Sequence, residues 1–347
     1  MTIEPKMKKL IPQFIKAPLL FTLLALISMG AGCNSQRSKK SSQKKTESKP
    51  ELQTPEFNSD SAYHYIAKQV EFGPRVPNTP AHEACAQWLA TKMDSLGADV
   101  IVQEGKVTAF DNSTLRIKNI IAQYQPEKNN RILLFAHWDT RPFADYDPDP
   151  ARRNKPIDGA NDGGSGVGVL IEIARHLKDH PTYPGIDIIF FDAEDYGTPR
   201  HLDLPYKEDT WCLGSQYWGN NLHKKRYYAQ YGILLDMVGA KGARFYQEQA
   251  SLDMAPDLVD HIWNTAATIG YGSYFVFQKG GYITDDHIYV NKHTGIPAAN
   301  IIQYDPSTRT SFGSYWHTHD DTMENIDRST LKAVGQTVME VIYKNRY

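Results

Sequence analysis

The side chains best suited to metal chemistry fall in a few short segments of this chain. Near the C-terminus, Trp316-His317-Thr318-His319-Asp320-Asp321 offers an imidazole beside an aromatic wall. Upstream, Asn161-Asp162-Gly163-Gly164, Asp192-Ala193-Glu194-Asp195 and Leu234-Leu235-Asp236 supply carboxylates. His137-Trp138-Asp139 adds a second imidazole, and Asp285-Asp286-His287 follows the Gly280-Gly281 turn. Zinc accepts imidazole nitrogen and carboxylate oxygen, and a catalytic zinc keeps one position open for water or substrate. No Cys-x-x-Cys occurs, which excludes a thiolate zinc site.

Taken singly, most of these residues have plainer readings. Asp162 in its Gly-rich turn could cap the helix that follows. Glu194-Asp195 could be a solvated turn, and His317 a surface histidine. Asp236 is different, because it ends an apolar run where an unpaired charge is costly. Adjacent side chains diverge, so one of Glu194 and Asp195 can bind metal while the other faces the reacting group. A carboxyl in a partly dry pocket has its pKa raised toward the range useful for acid–base work. Two rival motifs fail on single residues. Gly-x-Ser-x-Gly around Ser165 requires glycine where Val167 stands. A dinucleotide loop requires glycine where Val169 stands.

The elements that must position these groups alternate between helix and strand. Helical patterns cover Ser61 to Val70, Ala81 to Leu96, Gly166 to Leu177, Pro256 to Gly270 and Leu331 to Tyr343. Strand patterns cover Val100 to Val102, Leu115 to Ala122, Ile132 to Ala136, Ile186 to Phe191, Ile233 to Leu235 and Ala298 to Ile302. The continuous apolar strands read as buried on both faces. This predicts a single α/β domain with a central mixed, mostly parallel sheet flanked by helices on both faces. In such sheets ligands bind beyond the carboxyl ends of the strands. His137, Asp192 to Asp195 and Asp236 all fall there, which is the structural argument for one site.

The N-terminus reads as a targeting segment over residues 1–32. Lys6, Lys8, Lys9 and Lys16 precede an apolar stretch from Leu19 to Ile27 and the small residues Gly30, Ala31 and Gly32. That is a signal peptide pattern, and Cys33 directly after it predicts lipidation of its thiol and anchoring to a membrane. Residues 33–53 are rich in Ser, Gln and Lys and predict a flexible tether; residues 54–347 are left for the catalytic domain. The expected location is the bacterial cell envelope, facing the periplasm. With 41% hydrophobic residues and a net charge of -2, the chain can form a sizeable core and lacks the basic excess of a nucleic-acid binder. Cys85 and Cys212 read as buried thiols; spacing alone leaves their pairing open.

In their order along the chain these segments resemble the M28 zinc exopeptidases, from Phe72-Gly73-Pro74-Arg75 to Asn325-Ile326-Asp327. Within that family the chain is similar to the glutaminyl-peptide cyclotransferases, above all the membrane-anchored ones of Bacteroidetes. Phe191-Asp192-Ala193-Glu194 resembles their Phe-Asp-Gly-Glu, and Asp285-Asp286-His287-Ile288 their Asp-Asp-His-Ile. Trp316-His317-Thr318-x-Asp320-Asp321-x-x-Glu324-Asn325 matches their Trp-His-Thr-x-Asp-Asp-x-x-Glu-Asn. The resemblance implies that Asp162, Asp195 and His317 hold one zinc ion and that Glu194 is the general acid–base. Asp236 and Asp285 would complete a hydrogen-bond network. Trp316, Thr284 and Trp211 would line the substrate pocket, and the substrates would be peptides and proteins with N-terminal Gln. His137 and Asp139 match positions that serve a second metal in di-zinc aminopeptidases, so a second ion and an aminopeptidase activity remain the alternative. Two departures stand out: animal cyclases carry Glu where Asp195 stands and Gln where Thr284 stands.

Overall fold

The computed structural model describes residues 50–205 and 207–345. The expected signal peptide (1–32), the lipidated Cys33 and the tether up to residue 49 lie outside the described residues. In chain order, helices α1 (Ser59–Val70) and α2 (Pro80–Ser95) precede strands β1 (Asp99–Thr108), β2 (Thr114–Tyr124) and β3 (Arg131–His137). There follow α3 (Gly164–Leu177), β4 (Gly185–Phe191), α4 (Leu213–Asn220), β5 (Gly232–Asp236), β6 (Phe245–Gln247) and α5 (Gln249–Met254). The chain closes with α6 (Pro256–Thr268), β7 (Phe275–Lys279), α7 (Asp286–Thr294), β8 (Ala298–Ile302) and α8 (Arg328–Lys344).

The main sheet has the order β1-β2-β4-β3-β5-β8. β1, β2 and β4 pair antiparallel in turn, while β4, β3, β5 and β8 run parallel. β3, β4, β5 and β8 are buried along their whole length, as continuous apolar runs require. Alternate residues serve opposite faces. Ile132, Leu134, Ala136, Ile188, Phe190, Ile233 and Leu235 join the larger core with α1, α2, α3, α6 and α8. Leu133, Phe135, Ile189, Phe191 and Leu234 meet Trp218 of α4 and Val290 of α7 on the other face. The expected sheet, covered on both sides, is therefore present.

The differences from expectation are local. β1 runs on to Thr108 as the long edge partner of β2. The short helices α4 and α7 and the β6–β7 pair escaped the sequence reading, as their segments mix polar and aromatic residues without a clear period. Residues 50–53, assigned to the tether, lie against the domain: Leu52 packs on the core and its carbonyl accepts from Lys344. Among the described residues no helix is long and apolar enough to cross a membrane. Cys85 and Cys212 are both buried and unpaired.

Candidate metal centre and active site

The parallel strands end on one edge of the sheet, and the acidic segments gather there. Asp162 stands just before α3, in a turn that only glycine can complete. Gly163 has φ +83°, and a Cβ there would lie 2.6 Å from the Asp139 carbonyl and 3.0 Å from the His137 ring. Asp195 follows β4, and His317 reaches in from the loop before α8. One ligand atom from each of Asp162, Asp195 and His317 lies within 4.8 Å of the others, and all three residues are buried. His317 Nε2 is 3.3 Å from Asp195 Oδ1 and 3.5 Å from Asp162 Oδ2.

This set fits a zinc ion. Oδ2 of Asp162 and Oδ2 of Asp195 are buried without a hydrogen-bond partner, a costly state that a cation relieves. Two carboxylates and an imidazole also match the donor chemistry of zinc and leave a fourth position open. On its far side the His317 ring faces Asp145, with Nδ1 3.2 Å from Oδ1. The Asp145 carboxylate is itself gripped by the Arg141 guanidinium at 2.8 and 2.9 Å. A carboxylate behind a histidine orients the ring and raises its basicity toward metal. Burial opposes ionisation of Asp145, but Arg141 and His317 outweigh it and hold the carboxyl far below the usual range.

The turns carrying Asp195 and Asp162 are each fastened by another carboxylate. Asp139 accepts from the amides of Glu194 and Asp195 at 3.0 and 3.1 Å. Asp321 accepts from the amides of Asn161 and Asp162 at 2.8 and 3.0 Å. Asp139 thus holds the backbone of its neighbours and, outside the ligand sets, stands behind the His137 ring with Oδ1 3.5 Å from Nδ1. Asp195 is brought within reach despite its short side chain, since Arg141 also binds its carbonyl at 2.9 Å. The backbone is strained around the site: Ala193, Cys212, Met237 and His317 all have positive φ.

His137 forms a second set with Asp162 and Asp236, again within 4.8 Å. Its Nε2 lies 3.1 Å from Asp162 Oδ1 and 3.2 Å from Asp236 Oδ1. Asp236 and Asp285, expected in one network, have separate partners. Asp236 bonds His137, while Asp285 accepts from Asn300 Nδ2 at 2.7 Å and from the Asp286 amide. Two buried acids repel unless one keeps its proton. Burial and the neighbouring Asp236 accordingly push Asp285 up to about 7.

Glu194 projects beside these groups without joining either set. Burial pushes its carboxyl well above the carboxylate range; His137 opposes this, and Asp285, Asp195 and Asp286 reinforce it. The result is a carboxyl that holds a proton more readily than a free one, as a general acid–base requires. Burial also raises Asp195, whereas at Asp162 His137, His317 and Arg141 outweigh the burial penalty and hold it low. A divalent cation reverses such a shift at its own ligands.

Asp162, Glu194, Asp195, Asp236, Asp285 and His317 open on one cavity of about 860 Å³, whose walls include Trp211, Thr284, Ile302, Phe312 and Trp316. The Trp316 ring stacks on His317 with centroids 3.6 Å apart. Trp211 stands 6.2 Å from the same imidazole, nearly parallel, with the Arg141 guanidinium 4.5 Å over its own ring. Thr284 sits exposed at the rim. Asp145, Arg141, Cys212 and Asn300 were missed by the sequence reading. Asp145 sits in an Asp- and Pro-rich stretch that looks solvated, and nothing in its local pattern marks it as buried.

Comparison with known proteins agrees with this geometry. A glutaminyl cyclase from Tannerella forsythia is 57% identical, with a TM-score of 0.83 over 84% of this chain and 100% of its own. A glutaminyl cyclase from Bacteroides thetaiotaomicron, solved with N-acetylhistamine, is 51% identical, with the same TM-score over 84% of this chain and 100% of its own. An aminopeptidase from Bacillus subtilis is 28% identical over 247 residues, which is 69% of this chain; the chain spans about half, 46%, of that longer protein. The model of peptidase family M28 matches residues 119–342, well over half of the sequence. The chain belongs to peptidase family M28.

Proposed function

We propose that this chain is a zinc-dependent glutaminyl-peptide cyclotransferase, converting N-terminal Gln of peptides and proteins to pyroglutamate with release of ammonia. The observation that carries this reading is the buried Glu194 beside the Asp162–Asp195–His317 set, at the floor of a pocket walled by Trp316 and Trp211. Its similarity to two bacterial glutaminyl cyclases supports the same reading. Bound by those three residues, zinc supplies Lewis-acid polarisation of the side-chain amide carbonyl.

The protein's own groups do the rest. The pocket holds the Gln side chain folded so that the α-amine approaches its amide carbon, converting ring closure into a positioned intramolecular step. Glu194 takes a proton from the attacking amine and delivers it to the departing amide nitrogen, which leaves as ammonia. Asp236 and Asp285 line the same cavity and are placed to stabilise positive charge developing on the amine. Trp316 and Trp211 keep water from the polarised carbonyl. Water exclusion separates cyclisation from hydrolysis, since both begin from that carbonyl.

The His137–Asp162–Asp236 set favours a second reading, a di-zinc aminopeptidase. Two assays run together separate them: ammonia release from a Gln-initiated peptide and free amino acid release from a Leu-initiated one. The cyclotransferase reading expects the first and not the second; the opposite pattern overturns it. The N-terminal Lys residues, the apolar run and Cys33 support a lipid anchor in a bacterial cell envelope, facing the periplasm. Cys33→Ala should then move the protein from the membrane fraction to the soluble one, and its retention on membranes would refute the anchor.

A further inference from the structure

Beside the metal ligands lies a third group of donors: Glu194, Cys212 and Asp285, with one atom of each within 4.8 Å of the others. Cys212 is fully buried. It stands immediately before α4, where a side chain ordinarily accepts from the first free amides of the helix. Here no such cap bond forms. The side chain turns the other way, and Sγ donates to Glu194 Oε1 at 3.3 Å.

The backbone makes the same connection. The Cys212 amide donates to the Glu194 carbonyl at 2.9 Å, and the Leu213 amide donates to the Ala193 carbonyl at 3.1 Å. Cys212 holds a left-handed φ of +56° to do this, a conformation unfavourable for a residue with a Cβ. The start of α4 sits directly on the segment carrying Glu194: a Cβ on Gly214 would come within 2.1 Å of the Asp192 carbonyl. Thiol and carboxyl are thus set against each other by a rigid junction between β4 and α4.

We propose that Cys212 is a positioning residue for the acid–base group: its thiol holds Oε1 of Glu194, so that Oε2 is the oxygen that exchanges protons with substrate. Oε2 is the oxygen turned toward His137, 4.0 Å from its Nδ1. A carboxylate tethered at one oxygen cannot swing away from the amine and the leaving nitrogen, and proton transfer is sensitive to that aim. A thiol suits the task because it is a weak donor that leaves the basicity of Oε2 nearly intact. Burial and the nearby Glu194 keep it protonated. This inference rests on the assignment of Glu194 as acid–base in the proposed reaction.

The test uses the full chain loaded with zinc, as wild type, Cys212→Ala and Cys212→Ser. Cys212→Ala should lose about ten-fold in kcat, with KM within about two-fold, as expected for one lost hydrogen bond that matters in the transition state. Cys212→Ser, which keeps a donor, should recover most of that loss at equal zinc content. An unchanged kcat in Cys212→Ala, or a Cys212→Ser variant as slow as Cys212→Ala, overturns the proposal. Turnover of Gln peptides by the wild type judges the cyclotransferase reading separately. A measurement independent of activity is the S–H stretching band that disappears in Cys212→Ser. It should rise in frequency in Glu194→Ala; an unmoved band means that the thiol does not donate to Glu194, and the proposal fails.

Discussion

Glu194 and Asp195 are chain neighbours with unlike surroundings. Asp195 is fixed at its amide by Asp139 and at its carbonyl by Arg141, and it turns its carboxylate toward His317. Glu194 turns toward Cys212, and burial together with the nearby Asp285 raises its carboxyl above the usual range. Glu194→Gln is therefore expected to lower kcat by about two to four powers of ten while zinc, measured by elemental analysis, stays bound. Loss of zinc in that variant would mean that the two residues have exchanged roles. Asp145 acts one step further out, behind the His317 ring. Asp145→Ala should weaken zinc affinity by about 10- to 100-fold, read by competition with a chelator; unchanged affinity would deny it that role.

At the level of elements, a few strand ends and turns carry the site, and short caps hold them. Glu248 shows how strongly. It caps α5 through the Ala250 and Ser251 amides, both at 2.7 Å, accepts from Ile283 at 3.0 Å and meets His287 at 3.1 Å. Burial opposes its ionisation, but His287 and the amides prevail and hold it at about 2, below its ordinary 4.5. A folded-state pKa below the unfolded one gives stability that is present above pH 4.5 and lost as pH falls from 4.5 toward 2. The full effect is about 3 kcal/mol. Glu248→Gln should flatten the fall of Tm across that range, and an unchanged slope would assign the acid sensitivity elsewhere. The strands that carry His137, Glu194 and Asp236 were legible because each is an apolar run ended by a charge. Glu248, Asp145 and Cys212 were not legible. Each gains its meaning from a partner 18 to 172 residues away in sequence, from the Cys212–Glu194 contact to that of His317 with Asp145, and local periodicity carries no trace of such pairings.

Over the whole molecule, one sheet edge gathers two overlapping ligand sets that share Asp162. The proposed reaction turns on Glu194 and on the aromatic wall of Trp211 and Trp316 beside these sets. Trp316-His317 and Asp285-Asp286-His287, the motifs that carry the resemblance to the cyclases, lie in the loop before α8 and at the start of α7, next to the pocket. The most direct test is mass spectrometry of a Gln-initiated peptide after incubation with the zinc-loaded protein. The account predicts an intact chain lighter by one ammonia. A peptide shortened by its first residue would contradict it.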